Sequence, residues 1–207
     1  MRLATIVAVV WVTLLGIVPG HAEKRVALII GNGAYVHAPH LPNPIHDAQD
    51  VALALKRLGF ETMVGTDLNQ TGMQDIAIRF ARAARTADVA LFYYSGHAMQ
   101  FAGVNYMVPV DAELRDEADL RRMARVDEML ADLQQAKNLR VLVLDSCRDN
   151  PLADQLKRSI GSTRGVSVGR GLARMESPMA RSSLMRRRPG ARRTTERVAT
   201  APTRPHF

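Results

Sequence analysis

The chain has one cysteine, Cys147, at the end of the apolar run "VLVLDSC", and a histidine, His97, closes a similar run, "LFYYSGH". A thiol within reach of an imidazole can act as a nucleophile. The ring takes the thiol proton, the thiolate attacks a carbonyl, and the ring returns the proton to the leaving amine. Backbone N–H groups at a tight turn can hold the oxyanion that develops, and Gly96 allows such a turn ahead of His97. The spacing points to no third member of a triad. Each residue also has a plainer reading, since a lone cysteine in a sheet packs as a small hydrophobe and a lone histidine serves as a hydrogen-bonded structural group. What joins the two is that each terminates a strand of the core.

Those strands are legible from the apolar pattern. Residues 25–30, "RVALII", form a β-branched run stopped by Gly31-Asn32-Gly33, which predicts a strand buried on both faces. Residues 44–58 place apolar side chains at helical spacing (Ile45, Ala48, Val51, Ala52, Leu55, Leu58), with Gly59 as the stop. A second strand is expected over 60–64, a helix over 73–84, a third strand over 88–94 and an extended stretch over 104–110. A helix over 126–133 and a fourth strand over 139–144 follow. Strands alternating with helices predict an α/β fold, a mostly parallel sheet covered on both faces. In such sheets functional groups gather beyond the carboxyl ends of the strands, where His97 and Cys147 both fall. Neighbouring strands lie about 4.8 Å apart, so the two residues can meet.

The ends of the chain read differently. Met1-Arg2, the apolar residues 3–18 and the small-residue exit before Glu23 have the pattern of a secretory signal peptide over 1–22, which predicts an exported, periplasmic or secreted protein. An uncleaved membrane anchor is the alternative, although the run is short of the roughly 20 residues a spanning helix needs. A lone cysteine cannot make an internal disulfide, so an exported chain either tolerates this thiol or uses it. The net charge of +8 is uneven: 13 of the 28 Lys and Arg, but only 2 of the 20 Asp and Glu, lie from Lys157 onward. Residues 23–156 are therefore expected to fold as one slightly acidic domain. Residues 157–179 read as a Gly/Ser/Arg-rich linker and 180–207 as a disordered basic tail with too little apolar surface to offset its ordering entropy.

Four stretches, "RVALIIGNGAY", "LPNPIHDAQDVALALKRLGFE", "LFYYSGHAMQFAGVNYMVPVDA" and "VLVLDSCRDN", together resemble the caspase-like cysteine peptidases, nearest the bacterial paracaspase and metacaspase branch. The interval of about 50 residues between histidine and cysteine is also that of caspases. The resemblance covers about 25–151 and implies a three-layer α/β/α sandwich. It implies His97 as general base and Cys147 as nucleophile, with the N–H groups of Ala98 and Cys147 forming the oxyanion hole. Many relatives have glycine where this chain has Ala98, which keeps the N–H but adds a methyl. The resemblance further implies a substrate pocket lined by acids, with Asp47 and Asp145 at the matching positions. Two carboxylates there would bind Arg or Lys before the scissile bond through charge-assisted bonds. Asp47 reads equally as a first-turn acid complementing a helix dipole, and Asp145 as a strand-end hydrogen-bonding residue.

The resemblance fades after the fourth strand. The strands of a small second subdomain are not legible, so the sheet edge is expected to lie open to self-association. Two functions follow: a cysteine endopeptidase cutting after Arg or Lys, or a catalytically silent caspase-like module that binds a partner. The first makes Lys157, Arg158, Arg164, Arg170 and Arg174 candidate self-cleavage sites. No cofactor or metal is implied, and calcium dependence, a property of some metacaspases, is not legible in these residues. Gly31-Asn32-Gly33 lacks the third glycine of a dinucleotide fingerprint. His37, His40 and His46 share a loop without metal-motif spacing and read as solvent-facing. The arginine-rich tail lacks the interleaved aromatics that stack nucleic-acid bases, so no specific nucleic-acid binding is expected.

Overall fold

The computed structural model describes residues 22–146, 151–160, 168–169 and 183–185; Cys147 lies outside them. Strand β1 (Arg25–Gly31) is buried from Val26 through Ile30, as its unbroken apolar run requires. Helix α1 (Pro44–Arg57) starts on a proline whose missing N–H costs nothing at that position. It buries Pro44, Ala48, Ala52 and Leu55 along one stripe and ends before Gly59, whose φ of 79° suits glycine. Strand β2 (Glu61–Thr66) leads to helix α2 (Gln70–Ala84), where the side chain of Asn69 caps the first turn by accepting the N–H of Gly72 at 2.8 Å. Met73, Ile76, Phe80 and Ala84 form its buried stripe.

Strand β3 (Val89–Gly96) pairs in parallel with β1 on one side and with β7 (Leu139–Ser146) on the other. Helix α3 (Val126–Leu133) packs beneath β7. Among the described residues the main sheet has five strands; its order runs from β2 through β1, β3 and β7 to Ser183–Met185. The chain runs from β1 outward to β2 and then returns across β1 to β3. The order therefore reverses between β1 and β3, and a doubly wound sheet opens a crevice at the carboxyl ends flanking such a reversal.

Alternation along the strands assigns the two faces. Ala27, Ile29 and Tyr93 pack against α1, with Leu91 and Val143 beside them. Val26, Leu28, Ile30, Phe92, Tyr94, Leu142 and Leu144 face α2 and α3. This is the expected α/β sandwich. A third apolar cluster lies beyond the strand ends and joins Tyr35, Met99, Phe101, Leu114 and Leu120 with Leu152 and Leu156.

Several elements depart from the sequence reading. The single extended stretch expected over 104–110 is the second half of a hairpin, β4 (Ala98–Phe101) with β5 (Val104–Met107), turned by Ala102 and Gly103 at φ of 50° and 82°. A 3-10 turn (Glu117–Arg122) and strand β6 (Ala124–Arg125), paired with β5, then precede α3. Helix α4 (Pro151–Ile160) carries order past residue 156, and β8 (Val168–Gly169), inside the expected linker, pairs with β4.

The open sheet edge expected beyond the fourth strand is occupied. Strand β9 (Ser183–Met185), within the tail read as disordered, pairs in parallel with Leu142, Val143 and Leu144 of β7. A preformed strand supplies half of every ladder hydrogen bond, so three residues suffice where a free strand would not form. The remainder of 180–207 and the expected signal peptide lie outside the described residues, apart from Ala22.

Candidate functional site

His97 is the single residue between β3, which ends at Gly96, and β4, which begins at Ala98. The chain leaves the main sheet here and enters the hairpin sheet. The last register pair of β3 with β7 is Gly96 with Ser146, and the residues that follow these two in the sequence are His97 and Cys147.

The histidine is held at every polar atom except one. Its backbone N–H donates to the Tyr35 hydroxyl at 2.8 Å, and its carbonyl accepts from the Tyr94 hydroxyl at 2.7 Å and from the Val108 N–H at 3.0 Å. The rings of Tyr35 and His97 pack with centroids 4.5 Å apart. Burial holds the Tyr94 phenol well above its ordinary pKa, so it remains a donor. Gly96 makes this cradle possible, because a Cβ there would stand 2.6 Å from the Tyr35 hydroxyl and 2.7 Å from that of Tyr94.

In the ring, Nε2 lies 2.9 Å from the carbonyl oxygen of Pro39. A carbonyl only accepts, so Nε2 carries the hydrogen and the neutral ring presents a bare Nδ1. Among the described residues Nδ1 has no hydrogen-bond partner, although the whole residue is 2% exposed. Burial lowers the imidazole pKa from its ordinary value, and the Pro39 carbonyl opposes that shift. The ring is therefore neutral at physiological pH, with one nitrogen oriented and the other able to accept a proton.

The acids singled out from the sequence stand at the same end of the sheet. Asp145 follows Val143 by two residues on β7 and so shares the α1 face, opposite Ser95 in the register. Asp47 sits in the first turn of α1, one turn before Val51, which packs on that face. Both are half-buried. Asp47 and Asp145 thus lie toward one face of the sheet at the carboxyl end, the end at which His97 follows β3. Ala98 is buried at the head of β4. Cys147, as nucleophile and as oxyanion donor, lies outside the described residues.

The partners of His97 were not legible. Pro39 acts through its backbone, so its residue type carries no signal, and Tyr94 reads as an ordinary core residue. Tyr35 left a trace, a large aromatic in a glycine-containing loop, and it is 2% exposed. Asn32 is structural: its side chain accepts the Leu68 N–H at 2.9 Å and donates to the Val108 carbonyl at 3.1 Å, which ties the loop after β2 to the hairpin. His37, His40 and His46 are exposed. A cavity of about 610 Å³ lies between α2, the hairpin and α3, with Ile30, Met73, Met107 and Met129 in its walls. None of His97, Asp47 or Asp145 lines it. It is separate from the strand ends that carry the oriented imidazole.

Comparison with known proteins identifies the family. The caspase domain family matches residues 24–204. The chain is 30% identical over 165 residues to human mucosa-associated lymphoid tissue lymphoma translocation protein 1, across 75% of this chain and 20% of that protein. The mouse homolog matches at the same identity over 75% of this chain and 19% of its own length. The chain thus spans about a fifth of the length of these curated relatives. With a caspase-domain match over most of its length and a parallel sheet that ends on an oriented histidine, the chain belongs to the caspase-domain family of cysteine peptidases.

Proposed function

We propose that the protein is a cysteine endopeptidase that cleaves after Arg or Lys by a His97–Cys147 dyad. The observation that carries this reading is the His97 ring, anchored at Nε2, neutral, and bare at Nδ1. In the proposed reaction Nδ1 takes the Cys147 thiol proton, and the thiolate adds to the carbonyl carbon of the scissile bond. The N–H groups of Ala98 and Cys147 hold the resulting oxyanion. The C–N bond then breaks, and the imidazolium gives its proton to the departing amine. Water, deprotonated by the same nitrogen, adds to the thioester and releases the acid and the thiol. Asp47 and Asp145 receive the basic side chain of the substrate, a peptide or protein. Residues 1–22 direct export in this account.

The test is hydrolysis of fluorogenic peptides ending in Arg, Lys or Asp by residues 23–207. Cleavage after Arg and Lys is expected, with none after Asp. Asp47→Asn or Asp145→Asn should lower kcat/KM on Arg peptides by about 10- to 100-fold, the loss of one charge-assisted bond. Equal cleavage after Asp would contradict the acidic pocket. An inactive chain, indistinguishable from Cys147→Ala on every peptide, would favour a silent module that binds a partner.

A further inference from the structure

We propose that Asp67, which lies at the end of β2, is a positioning residue for His97 and acts through the loop of residues 32–43. Both non-covalent anchors that this loop supplies to His97, the Tyr35 hydroxyl and the Pro39 carbonyl, belong to a segment that closes on Gly33. The Gly33 carbonyl accepts from the N–H groups of Tyr35 at 3.1 Å and Leu41 at 3.0 Å. Gly33 is itself held by Asp67, whose Oδ1 accepts the N–H of Gly33 at 2.8 Å and that of Ala34 at 2.9 Å. One carboxylate oxygen thus fixes the residue on which the rest of the loop is folded.

The backbone of Asp67 fits this use. Its φ is 48°, in the left-handed region where Asp is among the few tolerated residues, and its N–H donates to the Gly31 carbonyl at 3.0 Å. That conformation turns the carboxylate back over the end of β1 and onto the loop. Gly33 leaves no room for adjustment, because a Cβ there would lie 2.5 Å from the Leu41 carbonyl oxygen. Among the described residues the titratable groups that contact His97 are the Tyr35 and Tyr94 phenols, and in the peptidase reading the Cys147 thiol stands at Nδ1. The state of the ring therefore depends on how the loop covers it, and on Pro39 at Nε2. Loss of the Asp67 acceptor frees Gly33, loosens Tyr35 and Pro39, and lets water and the second tautomer reach the imidazole.

The catalytic consequence rests on the peptidase reading, but the state of the ring can be read without turnover. Long-range 1H–15N spectra of the exported chain would follow His97, assigned by the signal lost in His97→Gln. The parent should show a single Nε2–H tautomer with a midpoint below the ordinary value of about 6.5. Asp67→Gly suits the left-handed φ yet removes the acceptor. It should mix the tautomers and move the midpoint up toward about 6.5. Asp67→Asn keeps an oxygen for the same two N–H groups and should match the parent. If Asp67→Gly does not fold, Asp67→Ser, with its shorter acceptor, takes its place. A folded Asp67→Gly or Asp67→Ser protein with parental tautomer and midpoint would overturn the proposal. On peptides, Asp67→Gly should lose about 10-fold in kcat with KM unchanged, as misplacement of a general base does. A silent parent would refute the peptidase reading while leaving the spectra to decide this one.

Discussion

At the residue scale the structure turns on one imidazole whose two nitrogens have been made unequal. The Pro39 carbonyl fixes the hydrogen on Nε2, and burial disfavours the charged ring. A histidine with a lowered folded pKa binds fewer protons than the same residue in the unfolded chain. Its neutral state costs no stability above about pH 6.5, and folding should weaken as the pH falls from there through the lowered folded value. Denaturant melts of the parent and of His97→Gln should show this: the glutamine protein lacks that part of the acid slope, and identical slopes would mean that His97 is not held neutral by the fold. His97 was legible because a strand ends on it. Its cradle was not, since one partner is a backbone carbonyl and another, Tyr94, sits in a strand that would be apolar with or without it. The two hydroxyls converge on Gly96 only after folding.

At the scale of elements, apolar periodicity located the parallel strands and the three helices over 44–58, 73–84 and 126–133, with ends displaced by a few residues. The β4–β5 hairpin escaped because its turn is Ala102-Gly103, and Ala is an unusual choice at a positive φ. Helix α4 changes the expectation for self-processing. Lys157 and Arg158, two of the five candidate cleavage sites, belong to this helix, whose Leu152, Ala153 and Leu156 are buried. A peptidase needs its substrate extended, so helical sites are protected until the helix opens. Nicks in purified protein should therefore follow Arg164, Arg170 or Arg174, and should vanish in Cys147→Ala. Mass spectrometry of the fragments checks this; equal nicking of the Cys147→Ala protein would remove self-cleavage, and cuts after Lys157 or Arg158 would contradict the protective role of α4.

At the scale of the whole molecule, the unexpected feature is the strand that closes the sheet beyond β7. A basic, Ser- and Arg-rich segment gave no strand signal, because three residues laid on an existing edge need neither amphipathic period nor length. With β9 in place the β7 edge has its ladder partner over Leu142, Val143 and Leu144. A chain ending at residue 179 would lose that partner and expose a parallel, apolar edge. It should self-associate where the longer chain does not, by light scattering at matched concentration. A truncated chain of unchanged mass would mean that β9 is not what keeps the edge covered.

Because Cys147 is the only thiol, the central claim can be tested without a substrate. The measurement is the rate of iodoacetamide alkylation against pH, for the parent and for His97→Gln. A neutral ring that draws off the thiol proton as the sulfur attacks predicts alkylation near neutral pH that is faster in the parent than in His97→Gln. The His97→Gln rate should follow the ordinary thiol midpoint of about 8.5. Superimposable profiles near about 8.5 would show a thiol that His97 does not activate, and would contradict the dyad.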